Sequence, residues 1–135
     1  MRLNFILGIC MLLVLSCGNK DKEQQDEAKQ ASPGGAAIAY YNHLIKGEYK
    51  EYVDGMLSCD SIPDKFRQQM VLLVKQYAVR EKRENGGLDS VSIVSEQMSD
   101  NGRSAKVFLS IRYKDGKKEN VVVPLLFHKK IWRMQ

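Results

Sequence analysis

The period of the hydrophobic pattern changes once along the chain, at Asn85-Gly86-Gly87. Before that point apolar residues recur at helical spacing. After it they alternate with polar ones. A stripe on a helix and one face of a strand are different shapes to bury. The order therefore commits the chain to helices first and antiparallel strands afterwards, which is α+β rather than alternating α/β. The expected architecture is three N-terminal helices packed on a curved antiparallel sheet of about four strands.

Ser32-Pro33 reads as a helix start, with serine as N-cap and proline in the first turn. That helix is predicted to run to Lys46 and stop at Gly47. Ala37, Tyr40, Tyr41, Leu44 and Ile45 form its apolar face. Tyr49, Tyr52, Val53 and Met56 have the spacing of a second, short helix. Ser58 to Ser61 reads as a loop, and Ser61 is the expected cap of a third helix with Pro63 and Asp64 in its first turn. Phe66, Met70, Leu73, Val74 and Tyr77 are predicted to share one face of that helix. Arg80, Lys82 and Arg83 suit the negative end of its dipole.

Beyond Gly87, Val91 and Ile93 alternate with Ser90 and Ser92. Asp100-Asn101-Gly102 signals a turn. Ala105, Val107, Leu109, Ile111 and Tyr113 then fall on one side of a strand, with Lys106, Phe108, Ser110 and Arg112 on the other. Asp115-Gly116 marks a tight hairpin. Val121 to Phe127 is apolar on both faces, as in a central strand, but Pro124 predicts a bulge or break within it. His128-Lys129-Lys130 turns the chain, and Ile131 to Met134 closes the sheet.

The N-terminus has a different character. Met1-Arg2 is positive, and from Leu3 to Leu15 only Asn4 is polar, apart from the small Gly8 and Cys10. The run is shorter than the roughly 20 residues a bilayer span needs, and it has the form of a secretory h-region. It ends Val14-Leu15-Ser16-Cys17. This resembles the bacterial lipobox, which implies that residues 1–16 are a lipoprotein signal peptide. It also implies that Cys17 receives lipid through its nucleophilic thiol and anchors the protein to a membrane. Residues 17–32 then form a lipidated cysteine and flexible tether, without aromatic or β-branched residues that could build a core. Gly18, not aspartate, follows the cysteine, so the resemblance implies a cell-envelope protein of the outer membrane, periplasmic or surface-facing. Of three cysteines, only Cys59 is left for the folded body, so no internal disulfide is expected there. Cys59 reads as a buried small hydrophobe.

Residues 33–135 are expected to form a single α+β domain. The order of elements resembles the nuclear transport factor 2-like (cystatin-like) fold, and more narrowly the small Bacteroidota lipoproteins with an uncharacterised, lumazine-binding-like domain of that type. The residues carrying the resemblance are AIAYYNHLIKGEYKEYV, NGGLDSVSIV, RYKDGKKENVVVPLLF and KKIWRM. The resemblance implies a pocket between helices and sheet, in which enzymes of the superfamily place an acid/base pair, and an open sheet face that serves for dimerisation.

The residues themselves favour a non-enzymatic binding or interaction module. No catalytic residue, metal ligand set or cofactor motif stands out: there is no H-x-x-E-H or C-x-x-C, and the glycine pairs are too sparse to cradle phosphate. Tyr40, Tyr41, His43 and Tyr52 are the candidate pocket residues for a small-molecule ligand. The alternative is a pocket enzyme using His43 and nearby tyrosines. Phe108, Val122 and Leu126 are the candidate apolar strip for a protein partner or a homodimer. Residues 33–135 carry 17 Lys/Arg against 12 Asp/Glu. Lys114, Lys117, Lys118, Lys129, Lys130 and Arg133 are expected as solvated turn residues, or as a positive rim at one end of the sheet. An exported lipoprotein has no nucleic acid to meet, so that partner class is set aside.

Overall fold

The computed structural model describes residues 32–135. The expected signal peptide, Cys17 and the tether as far as residue 31 lie outside the described residues. Three helices come first: α1 (Pro33–Lys46), α2 (Tyr49–Asp54) and α3 (Asp64–Asn85). The Ser32 hydroxyl accepts from the Gly35 N–H at 3.0 Å, closing the first turn of α1. Gly47, at φ 80°, ends that helix in the left-handed conformation that glycine adopts without a Cβ penalty.

Two local expectations are corrected. The segment expected as a loop contains a 3₁₀ turn, Leu57–Cys59. Ser61 does not cap α3; Pro63 holds the cap position, without a side-chain hydrogen bond. The junction is secured from elsewhere. Arg67 on α3 reaches back to Asp54 at 2.7 Å and to the Cys59 carbonyl at 3.0 Å.

Four antiparallel strands follow in the order β1 (Leu88–Met98), β2 (Ser104–Tyr113), β3 (Lys118–His128) and β4 (Ile131–Met134). The helices cover one face of this sheet. Alternation works as the sequence predicts on β2, where Ala105, Val107, Leu109, Ile111 and Tyr113 are all buried. β1 carries an extra residue at two places, between Leu88 and Ser90 and between Ile93 and Ser95, irregularities that strengthen the local twist.

Pro124 neither breaks nor bulges β3; it pairs with Lys106 in unbroken register. Its carbonyl accepts from the Gln135 N–H at 3.0 Å, so its backbone groups face away from β2 and toward the chain just past β4. The missing N–H therefore costs the β2–β3 ladder nothing.

The core has two clusters. One gathers Ala36, Ala37, Val107, Leu109, Val123, Leu125 and Trp132; the other gathers Leu44, Val53, Cys59, Val74, Leu88, Ile111 and Tyr113. Both are built from residues within Ala36 to Met134. The predicted apolar face of α3 is only partly covered. Val74 is buried, but Phe66 and Leu73 are 55% and 57% exposed, because α3 packs on α2 and the start of β1 and not on the body of the sheet.

Candidate functional site

Between α1, α2, α3 and the inner face of the sheet lies an open cavity of about 320 Å³. It sits at the seam of the two clusters: Tyr41, Tyr52, Met56 and Val121 line it and pack against both. Ile111 and Val121 form its floor, and Leu44, Leu73 and Val74 its apolar walls.

The polar groups are three phenols and one carboxylate: Tyr41, Tyr52, Tyr77 and Glu119. The Tyr41 and Tyr52 rings meet edge to face, with centroids 5.8 Å apart at 89°. Tyr113, behind them, donates its hydroxyl to Glu119 Oε2 at 2.5 Å. Arg80 lies over the Tyr77 ring at 5.6 Å. Burial is the largest cause raising Tyr41, Tyr52, Tyr77 and Tyr113 above the ordinary tyrosine value, and the charge of Glu119 adds to it at Tyr41, Tyr77 and Tyr113. These hydroxyls stay neutral at physiological pH and act as hydrogen-bonding groups, not phenolate bases. The cavity can hold an apolar body with a hydrogen-bond donor directed at Glu119.

Of the predicted pocket residues, the structure brings Tyr41 and Tyr52 together here. Tyr40 and His43 lie elsewhere, lining a separate recess of about 210 Å³ with Ala36, Ala39 and Ile131. Tyr40 donates to the Trp132 carbonyl at 2.6 Å. His43 Nδ1 faces Glu48 Oε1 at 3.3 Å, so the ring does have a carboxylate partner, five residues on. A pocket built on His43 together with Tyr41 and Tyr52 is therefore not what the fold assembles.

Glu119 is the charged residue of the cavity, and it is absent from the residues expected there. Its signal was strand parity: Glu119, Val121, Val123 and Leu125 alternate onto one face, and Glu119 pairs with Ile111. Among the described residues no three His, Cys, Asp or Glu side chains are grouped to hold a metal.

Phe108, Val122 and Leu126 share the open face of the sheet. Phe108 pairs directly with Val122, which is 52% exposed, while Phe108 and Leu126 are half-buried. The positive rim is not assembled. The β2–β3 and β3–β4 turns lie at opposite ends of β3, eleven residues of about 3.3 Å each apart. Lys129 and Arg133 instead surround Asp60 at 3.4 and 3.5 Å.

The fold is that of the nuclear transport factor 2-like class. It is similar to a solved structure from Campylobacter jejuni that carries the provisional name NTF2-like transpeptidase, with a TM-score of 0.62 and 18% identity over 76% of this chain and 96% of that one. At that identity the likeness is one of fold. No protein-family model and no curated protein matches the chain.

Proposed function

We propose that this chain is a bacterial envelope lipoprotein, anchored through Cys17, whose body is a non-enzymatic module binding a small apolar ligand in the helix–sheet cavity. The cavity carries the binding reading: neutral phenols and a single carboxylate lining an otherwise apolar space have the makeup of a ligand pocket. The anchor rests on the stretch Val14-Leu15-Ser16-Cys17 and its apolar approach.

The name of the Campylobacter protein points to acyl transfer, which needs a nucleophile activated by a base. Among the described residues neither histidine contacts a serine or cysteine: His43 meets Glu48 and His128 meets Asp60. Cys59 is buried. Binding is the reading these residues support.

The test is native mass spectrometry on residues 20–135 secreted without lipid. An adduct lost on denaturation and absent from Tyr52→Ala is expected. A bare protein from every host and extract would move the reading to the sheet face, where Phe108→Asp should abolish a dimer while leaving a folded monomer. Acylation is tested separately, by the mass of the mature N-terminus and its loss in Cys17→Ser.

A further inference from the structure

We propose that the outward face of α3 docks on an anionic lipid bilayer. Leu72 and Val79 stand two turns apart on the side of the helix opposite buried Val74, and are 58% and 56% exposed. They form the floor of a shallow groove of about 360 Å³ whose borders are Lys75, Gln76, Arg80 and Arg83. Lys65 and Lys82 extend the basic surface along the same helix.

Among the described residues Lys65, Lys75, Arg80, Lys82 and Arg83 belong to no ion pair, and Arg80 lies over the Tyr77 ring. The helix has three acids. Glu81 is turned inward and buried, receiving the Asn85 amide at 2.7 Å, and Asp64 and Glu84 lie near the two ends. The face is thus uncompensated positive charge around exposed aliphatic side chains.

Charge complementarity selects an anionic partner. The aliphatic centre selects among anionic partners. Leu72 and Val79 gain nothing against a hydrated polyanion, but they are buried at the headgroup–acyl boundary while the bases meet lipid phosphate. No helix among the described residues is long and apolar enough to cross a membrane, so the contact is with the surface. Docking here leaves the cavity, on another side of α3, facing away from the lipid. The proposal does not depend on Cys17, so it and the anchor fail separately.

The experiment uses unacylated residues 32–135, which contain both core clusters, in co-sedimentation with phosphatidylcholine vesicles with and without phosphatidylglycerol. Binding is expected only with the anionic lipid, and it should weaken with salt. Lys75→Glu with Arg83→Glu should lower partitioning by at least roughly 30-fold, because losing the two bases alone costs about 2 kcal/mol at 1.4 kcal/mol per tenfold and the two new carboxylates add repulsion. Lys114→Glu with Lys118→Glu makes the same change in net charge at exposed positions off this face, and should leave most binding intact. Leu72→Ser with Val79→Ser should weaken vesicle binding without changing binding to soluble polyglutamate. Because every substituted side chain is exposed, all variants should keep the wild-type circular dichroism. Absence of vesicle binding overturns the proposal. So does equal loss in both charge-reversed pairs, or a Leu72→Ser/Val79→Ser variant that binds vesicles normally, which would indicate an acidic protein partner.

Discussion

Gly55 joins the helical layer to the closing strand, and replacing it with alanine isolates one packing contact. Its backbone is ordinary right-handed helix, φ −77° and ψ −8°, so alanine can adopt it. On backbone grounds alone Gly55→Ala should stabilise by about 0.4–1 kcal/mol, through a less flexible unfolded chain. The space says otherwise. A Cβ there would stand 2.4 Å from Cδ1 and Cε1 of Tyr40 and 2.9 Å from its Cγ. The ring cannot easily retreat, because its hydroxyl is bonded to the Trp132 carbonyl. Nor can Gly55, whose carbonyl accepts from the Met134 N–H at 2.9 Å. Overpacking of this kind costs about 1–3 kcal/mol, and losing the Tyr40 bond adds about 1 kcal/mol. The net expectation is a loss of about 2 kcal/mol, read as a lower urea midpoint at unchanged slope, with a fall in Tm of about 8–16 °C. In a Tyr40→Ala background the ring is gone, and Gly55→Ala should become neutral or stabilising, giving a coupling of about 2 kcal/mol. A single Gly55→Ala variant as stable as the wild type would refute the reasoning.

The other expectations concern the turns and titrating groups. Lys129 and Lys130 both have positive φ, 50° and 67°, a conformation that costs non-glycine residues energy; Lys130→Gly should raise stability by about 0.5–1 kcal/mol in urea titration. Burial works to raise the Asp60 carboxyl, but Arg133, Lys129 and His128 together hold it below its ordinary 3.8. A lowered folded value stabilises above the unfolded one, so this contribution is present above about pH 4 and lost as pH falls through the folded value. Asp60→Asn should therefore flatten the acid limb of the stability curve. Burial raises Tyr40, Tyr41, Tyr52, Tyr77 and Tyr113 above 10.0. Here the sign reverses: the stabilisation is present below pH 10 and lost as pH rises through the folded values, so phenolate absorbance should show these five ionising together with alkaline unfolding.

What the sequence disclosed follows from how many neighbours each signal involves. β2 is covered on one side and open on the other, so strict alternation alone assigns its inward residues. The penalty of Pro124 depends on which flanking chain its nitrogen faces, a tertiary fact that its sequence neighbours do not carry. The α3 pattern gave a stripe but not what would cover it, and Phe66 and Leu73 are left at the surface. Placing His43 with Tyr41 treated sequence neighbours as spatial ones. A helix turns about 100° per residue, so Tyr40 and His43 share one side, while Tyr41 and Leu44 share another. The supposed rim failed on topology, since successive turns of a meander alternate between the ends of the sheet.

The cavity itself has a cause in the composition of α1. At its N-terminal end the helix presents Gly34, Ala36 and Ala37. Gly34 is so close to β1 that a Cβ would stand 2.9 Å from Ile93 Cδ1. At its other end the same helix presents Tyr41 and Leu44, and α2 adds Tyr52. Interaxial distance follows side-chain size. A helix seated on small residues at one end and large ones at the other cannot lie flat on a sheet, and it must stand off at the large end. That end lies over Ile111 and Tyr113, toward the β2–β3 turn, and it is where the cavity opens. α3 walls this gap from the side through Leu73, Val74 and Tyr77 without filling it, because it packs on α2 and the start of β1 and not across the body of the sheet. The wedge of side-chain size along α1 thus sets both where the opening lies and why phenols line it. Rings large enough to prop the layers apart are the residues left facing the space they create.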